Sequence, residues 1–354
     1  MGGTPSWEQA MPLPLPRART TISAMVAGHP GDAPAIFDRG AIVSYGDLVE
    51  NSRRVAGGLA ELGIGAGDRV AVWLPNVPAW LMLCLACARL GAVCVAVNTR
   101  FRSVEVADIV GRSGARVLAL WPGFKDIDFI AILGEIEPQA LATLETIGVY
   151  DAAGGGASMA PLAGPLAARR VVAYRDLEAG PEPFAGDAEP SAPCIIFTTS
   201  GTTKAPKLVV HSQRGIVDHA RDVAQACGFH AADSVTLMAL PFCGVFGHSL
   251  AMATLAAGRP MVSMTAFEPA AASRLVTAHG VTHMYGSDDL FHRMLEAAPA
   301  ARPFPSLRLA GYAAFNATLD TLVAEGAQRG VNFVGVYGSS ETQALITAQR
   351  ADAR

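Results

Sequence analysis

The chain has few charged residues and no excess of positive charge. Of its 354 residues only 16% are charged, and 27 Lys and Arg against 31 Asp and Glu leave a formal net charge of −4. A nucleic acid or an anionic membrane surface is attracted by a basic face, so neither is expected as a partner. Because 51% of the residues are apolar, disorder is excluded and a folded, core-rich protein is predicted.

The cysteines sit in apolar contexts and mostly lack partners at metal-ligand spacing. Six are present, and Cys84 and Cys87 form a C-x-x-C pair inside WLMLCLACARLGA, which predicts a buried helix. We therefore expect core thiols in a reducing compartment. His279 and His283 stand four residues apart, but Gly280 and the β-branched residues after it end the helix between them. A structural role is predicted for this pair instead of metal binding.

No apolar run in the sequence is long enough to predict a membrane span. The longest, residues 80–97, is interrupted by Arg89 and Gly91 and predicts a buried helix followed by a buried strand. Residues 1–20, MGGTPSWEQAMPLPLPRART, lack a basic region followed by an apolar one, which argues against a secretory signal peptide. We expect a soluble, cytoplasmic protein.

What the sequence does contain is a regular alternation of strand-like and helix-like segments. In residues 69–121 three short apolar runs flank two longer helical patterns, and Ser103 is the predicted N-cap of the second helix. That β-α-β-α-β order predicts a mostly parallel sheet covered by helices, the α/β class. The predicted strands are 69–75, 92–98 and 115–121, and the predicted helices are 79–90 and 103–113.

Two segments interrupt this alternation. Residues 151–165 are rich in small residues and predict a surface loop, and residues 178–193 are rich in proline, glycine and acidic residues and predict a connection. The alternation then resumes and continues to a strand at 331–338. We predict two similar α/β lobes, over residues 1–185 and 186–354.

The stretch FTTSGTTKAPKLVVHSQRG, residues 197–215, follows a strand and has the composition of a phosphate-binding loop. Such a loop needs free backbone N–H groups, a glycine, hydroxyl donors and a cation. The first three needs are met by Thr199, Ser200, Gly201, Thr202 and Thr203, and Lys207 or Lys204 supplies the cation. A polar turn set by Pro206 is the alternative. The G-x-x-x-x-G-K-[ST] loop is excluded by its spacing.

Order and spacing in this stretch resemble a known family. T-S-G-T-T-x-x-P-K is similar to the phosphate signature of the adenylate-forming superfamily, which includes the acyl-CoA synthetases. Three more segments resemble that family in its order: residues 89–120, residues 240–262 with L-P-x-x-x-x-x-G, and VYGSSETQ at 336–343. The resemblance implies the two-lobed α/β N-terminal domain of acyl-CoA synthetases, with their C-terminal domain absent.

The family's reaction implies substrates, cofactors and residue roles. A carboxylic acid, whether fatty, aromatic or polyketide-like, attacks ATP to give an acyl-adenylate, and coenzyme A or a carrier-protein thiol then displaces AMP. Mg²⁺ would be held by Glu341, and Lys207 would add positive charge. The resemblance assigns nucleotide binding to the loop 199–203 with Gly311, Tyr337, Gly338 and Ser340, and the acyl-pocket wall to Phe242, Gly244, Val245 and Phe246.

Several positions depart from the family pattern. Lys204 and Leu208 replace glycines of the loop, Gly244 replaces a His or aromatic residue, and Gln213 replaces a His. The sequence stops at Arg354, so weak or absent turnover is expected for this chain alone. The leading hypothesis is an ATP-dependent acyl-CoA ligase. The alternatives are a homologue that accepts a preformed acyl-adenylate and a non-catalytic binding module.

Overall fold

The computed structural model describes residues 20–152, 164–180, 182–199, 206–319 and 321–348. Within them, fifteen strands form two sheets. The strands are β1 (Pro34–Asp38), β2 (Ala41–Ser44), β3 (Arg69–Trp73), β4 (Val93–Ala96), β5 (Val117–Leu120), β6 (Thr146–Val149), β7 (Arg170–Ala173), β8 (Pro193–Thr199), β9 (Lys207–Ser212), β10 (Thr236–Met238), β11 (Met261–Ser263), β12 (His283–Ser287), β13 (Leu309–Ala313), β14 (Phe333–Tyr337) and β15 (Thr347–Ala348).

Helices connect most of these strands. The α-helices in the described ranges are α1 (Ile22–Ala27), α2 (Tyr45–Glu61), α3 (Pro78–Leu90), α4 (Ser103–Ser113), α5 (Phe129–Gly134), α6 (Tyr174–Glu178), α7 (Gln213–Ala226), α8 (Val245–Ala256), α9 (Pro269–His279), α10 (Asp288–Ala297) and α11 (Leu322–Gln328). None of the helices in this described part is both long and apolar enough to cross a bilayer.

The two sheets are mostly parallel. The seven-stranded sheet has the order β7-β6-β5-β3-β4-β8-β9, and β9 alone pairs antiparallel within its described strands. The eight-stranded sheet has the order β15-β14-β13-β12-β10-β11-β1-β2, with the antiparallel pairs at its two edges. Central strands such as β4 and β5 are buried along their whole length, as parallel strands covered on both faces must be.

The predicted division at residues 185 and 186 does not coincide with the division between the sheets. Strands β8 and β9 follow that boundary in sequence but complete the first sheet, and β1 and β2 precede it but extend the second. Each sheet therefore gains its edge from the other half of the chain. Local hydrophobic patterns specify a strand but not its partner, because pairing depends on long-range contacts.

A layer of helices joins the two sheets. The largest apolar cluster contains residues of α2, α3, α7 and α8 together with inward side chains of both sheets. Two further clusters cover the outer faces, one beneath α4 and α5 and the other beneath α9 and α10. Helix α3 is apolar on every side because this layer encloses it.

The prediction of Ser103 as an N-cap is wrong by one residue. Helix α4 begins at Ser103, and its cap is Arg102. The Glu105 carboxylate accepts a hydrogen bond from the Arg102 N–H at 3.0 Å. A carboxylate at the third helical position satisfies this N–H by reaching back, which replaces the hydroxyl cap that the sequence suggested.

Candidate functional site

A cavity of about 880 Å³ opens at the carboxyl ends of β4, β8, β13 and β14 and the start of α8. We call it the strand-end cavity. Ligands of α/β proteins bind at this edge of a sheet, where loops leave the strands. The cavity brings together predicted site residues from three separate segments of the chain: Thr199, Lys207, Gly244, Val245, Phe246, Tyr337, Gly338, Ser340 and Glu341.

The β8–β9 hairpin carries the described part of the predicted phosphate loop. Thr199 at the end of β8 pairs with Lys207 at the start of β9. The Thr199 hydroxyl is buried and has no hydrogen-bond partner among the residues that the structure describes. Buried hydroxyls are normally paired, so this one is suited to a ligand oxygen. The predicted loop residues Ser200, Gly201, Thr202 and Thr203, and Lys204, lie outside the described residues.

The short turn Ser340–Thr342, which we call the Glu341 turn, faces this hairpin. The Lys207 Nζ lies 3.8 Å from a Glu341 carboxylate oxygen, and the two side chains are 62% and 49% exposed. The Glu341 amide N–H and the Ser339 hydroxyl, followed by the charges of Lys207 and His211, hold the pKa of Glu341 below its ordinary value. An ionised, accessible carboxylate beside an ammonium group can accept Mg²⁺ while the ammonium contacts phosphate.

Histidine 211 is a contact of this turn that sequence reasoning missed. Its Nε2 lies 2.8 Å from the Ser340 carbonyl oxygen. Burial is the main effect on the ring, and it lowers the pKa of His211 despite the opposing effects of the Ser340 hydrogen bond and the Glu341 charge. The sequence could have indicated this contact, because residues 207 and 211 lie on the same face of a strand and His211 therefore shares the face of Lys207.

The start of α8 gives the cavity an apolar part, which we call its apolar end. Gly244, Val245 and Phe246 line it from the start of α8. A Cβ at Gly244 would meet only Pro241, at 3.5 and 3.8 Å, so the missing side chain leaves usable space. Phe242 is placed differently: it is 1% exposed and its ring centroid lies 5.7 Å from that of Trp80, within the core.

Two exposed aromatic side chains line the cavity. Tyr337 is 69% exposed and Phe315 is 80% exposed, and both line the cavity. Exposed rings of this kind offer faces on which a base can stack. Gly311 is not among the lining residues; a Cβ there would come within 2.4 Å of the Tyr285 ring, so this glycine allows Tyr285 to pack closely against β13.

Two of the departures from the family pattern have structural explanations. Leu208 packs against the outer cluster of the seven-stranded sheet. Gln213 is fully buried and joins two helices, because its Oε1 accepts from the Ile22 N–H at 3.1 Å and its Nε2 donates to the Ala88 carbonyl at 2.8 Å. Neither residue lines the strand-end cavity.

A second cavity, of about 400 Å³, adjoins the first. The two share lining residues Asn98, Leu240, Pro241 and Cys243. The second cavity also has four basic residues against one acidic residue, Asp289, and we call it the cationic cavity. Its basic residues are Arg100, Arg102, Lys125 and Arg293.

Comparison with known proteins identifies relatives of the chain. The sequence profile described as AMP-binding enzyme matches residues 23–354. The chain is 33% identical over 247 residues to 4-coumarate–CoA ligase 5 of Oryza sativa subsp. japonica, covering 69% of this chain and 42% of that protein. It is 30% identical over 303 residues to 3-[(3aS,4S,7aS)-7a-methyl-1,5-dioxo-octahydro-1H-inden-4-yl]propanoyl:CoA ligase of Mycobacterium tuberculosis, covering 84% and 57%. The chain thus spans about half the length of these relatives.

Solved structures share the fold. The anthranilate CoA ligase AuaEII, in complex with anthranoyl-AMP, matches with a TM-score of 0.77 at 20% identity, covering 95% of this chain and 63% of that one. The o-succinylbenzoate CoA synthetase of Bacillus subtilis, in complex with ATP and a magnesium ion, matches with a TM-score of 0.72 at 20% identity, covering 93% and 61%. These matches confirm the predicted α/β architecture.

The profile match extends over nearly the whole chain, and the segments that carry the resemblance converge on one cavity. The chain therefore belongs to the AMP-binding enzyme family, the adenylate-forming family of acyl-CoA ligases.

Proposed function

We propose that the chain forms the ATP- and acid-binding part of an acid–thiol ligase, which converts a carboxylic acid to an acyl-adenylate and then to a thioester. One observation carries the proposal: Thr199, Lys207 and Glu341 line the same cavity as Gly244, Val245 and Phe246. Polar residues that suit a polyphosphate and apolar residues that suit the acyl group thus share one cavity.

The first step requires stabilisation of negative charge. When the acid's carboxylate oxygen attacks the α-phosphorus of ATP, the bond to the pyrophosphate oxygen breaks and negative charge builds on the leaving group. The Lys207 ammonium and the Thr199 hydroxyl would contact phosphate oxygens. Tyr337 would pack on the adenine, and Gly338 would leave the backbone free to approach it. Ser340 would donate its hydroxyl to phosphate.

Glu341 would hold Mg²⁺, which, when bound, neutralises phosphate charge. The described residues include no cluster of three or more His, Cys, Asp or Glu arranged to hold a metal. A single carboxylate fits Mg²⁺ in this setting, because the ion commonly takes one or two carboxylates and completes its shell with phosphate oxygens and water. The Thr199 hydroxyl, which has no partner among the described residues and lines the same cavity, is suited to an oxygen of the same nucleotide.

The acid is proposed to be bulky and largely apolar, in the aromatic, fatty or polyketide-like class. The cavity is large for a small acid, and Gly244 leaves its apolar end open. The relatives named above act, by name, on a coumarate and on a propanoate that bears a fused bicyclic ring, which favours a ring-bearing acid.

Coenzyme A is the proposed thiol acceptor. The cationic cavity adjoins the strand-end cavity, and its four basic residues suit the phosphates of coenzyme A. The thiolate would attack the acyl carbonyl carbon, and AMP would leave with the electrons of the broken C–O bond. A carrier-protein thiol would present one phosphate, fewer than coenzyme A. The rates of thioester formation with the two acceptors therefore distinguish them.

Acid-dependent exchange of labelled pyrophosphate into ATP tests the proposal. It is measured for this chain, and for the chain extended to the length of its relatives, with a panel of aromatic, fatty and short acids. Exchange that depends on a ring-bearing acid is expected from the extended protein. Absence of exchange with every acid, while a synthetic acyl-adenylate is converted to a thioester, would overturn adenylation as the first step.

A further inference from the structure

The Glu341 turn is well formed internally, but those internal bonds do not locate it relative to the phosphate loop. Ser339 and Thr342 cap each other, the Ala344 N–H donates to the Ser339 carbonyl, and the Ile346 N–H donates to the Tyr337 carbonyl. All of these bonds lie within residues 337–346. They shape the turn and attach it to the end of β14, but none of them reaches the β8–β9 hairpin.

The ion pair with Lys207 is a weak tether. Its atoms are 3.8 Å apart and both side chains are about half exposed or more. Exposed pairs of this kind contribute little to stability, because water and salt screen them and the long side chains lose entropy. A firmer contact is needed to hold the carboxylate at a defined distance from the hairpin.

His211 supplies such a contact. Its side chain is 8% exposed, and its Nε2 lies 2.8 Å from the Ser340 carbonyl oxygen, one residue before Glu341. A carbonyl oxygen only accepts, so the ring must donate from Nε2. Lys207 and His211 lie on the same face of β9, and Thr199 pairs with Lys207 across the hairpin. Strand β9 therefore connects the turn, through His211, to Lys207 and to its partner Thr199.

We infer that His211 is a positioning residue, which fixes the Glu341 turn against the β8–β9 hairpin so that Glu341 can hold the divalent cation of a bound nucleotide. The inference rests on the proposed function. Beyond the turn, the Gln343 carbonyl accepts from the Ser249 hydroxyl, and His219 also bonds to the backbone of Gln343 and Ala344. His211 differs from these contacts because it ties Ser340, next to Glu341, to the strand that carries Lys207.

Two variants separate positioning from packing. His211→Leu replaces the imidazole with an apolar side chain of similar size and so removes the donor. His211→Gln supplies an amide N–H donor at similar reach. ATP binding to the chain is measured by calorimetry at increasing Mg²⁺, and AMP binding is measured with a chelator present. For His211→Leu we expect the Mg²⁺ concentration that half-saturates ATP binding to rise at least fivefold, with AMP affinity changed less than twofold. His211→Gln is expected to recover the wild-type Mg²⁺ dependence within about twofold.

The outcomes are distinguishable. If the wild-type chain binds no ATP at any Mg²⁺ concentration, both the proposed function and this inference are overturned. If the wild type binds ATP with Mg²⁺ and His211→Leu has the same Mg²⁺ dependence, only the inference is overturned. Should His211→Leu not fold, a long-range ¹H–¹⁵N spectrum of the wild-type His211 ring decides: an Nε2–H tautomer is expected, and an Nδ1–H tautomer overturns the inference.

Discussion

At the scale of single residues, Glu341 is an accessible carboxylate that lies 3.8 Å from the Lys207 ammonium. Its pKa is held below the ordinary value by its own amide N–H and the Ser339 hydroxyl, so it is ionised at neutral pH. An ionised carboxylate whose ion pair is loose and exposed can still bind a hard cation such as Mg²⁺.

Replacing Glu341 by Gln should therefore impair metal-dependent steps and leave the fold intact. We expect acid-dependent pyrophosphate exchange by the extended protein to fall about 10²-fold, the size of effect seen when one electrostatic group is removed from a transition state. Raised Mg²⁺ should recover part of the loss. Glu296→Gln, at the exposed end of α10, is the control. A Glu341→Gln variant with wild-type exchange would remove this residue from the site.

Gly244 sets the size of the apolar end. Since a Cβ there meets only ordinary contacts, a larger side chain can be accommodated and would project into the cavity. We expect Gly244→Trp to weaken binding of a ring-bearing acyl-adenylate analogue at least tenfold and that of an acetyl analogue less than threefold. Gly134→Trp, at an exposed position with open space around it, is the matched control. Equal losses for both analogues would contradict a size-selecting role.

At the scale of elements, the loop after β13 is held by the start of α10. One Asp288 carboxylate oxygen accepts from the Phe315 and Asn316 N–H groups, both at 2.8 Å, and the other accepts from the Asp289 N–H at 2.9 Å. Burial opposes ionisation of Asp288, but the donors of Asn316, Asp289 and Phe315 outweigh it and lower its pKa. Helix α10 thereby positions Phe315 at the cavity.

Asp288→Asn should destabilise the protein in a pH-dependent way. A lowered folded pKa means that the carboxylate stabilises the fold above its unfolded pKa of about 4 and loses that effect as pH falls through the lower folded value. We expect a loss of about 1–3 kcal/mol at pH 7 in urea unfolding, unchanged at pH 5 and smaller below pH 4. Asp289→Asn, its exposed neighbour, should change stability little. A difference that grows below pH 4 would contradict the assignment.

At the scale of the whole molecule, the helices between the two sheets depend on a buried amide. Gln213 begins α7, receives the first N–H of α1 and donates near the end of α3. It thereby connects helices that belong to one core shared by both sheets. We expect the sheets to unfold together because this core is continuous.

Gln213→Leu should lower the free energy of unfolding by about 1–3 kcal/mol, since it leaves the buried Ile22 N–H without its partner. Gln225→Leu, on the exposed face of the same helix, should change stability by less than about 0.5 kcal/mol. Chemical denaturation monitored by tryptophan fluorescence measures both. Equal effects of the two variants would show that the buried amide is dispensable.

The sequence by itself determined the elements and the family. Apolar periodicity is a local property, so it placed β3, α3, β4 and β5 within a residue or two, and α4 at its observed bounds. The motif spacing around Thr199, Lys207, Tyr337 and Glu341 indicated phosphate chemistry, because these residue types are what a nucleotide site needs. These properties depend on neighbours along the chain.

Only the tertiary structure decided which elements meet. It assigned β8 and β9 to the first sheet, buried Phe242 against Trp80, placed Gly311 beneath Tyr285, and brought His211 to Ser340. Each of these contacts except the hairpin pairing joins residues far apart in sequence. Their formation depends on packing across the shared core, which no local pattern encodes.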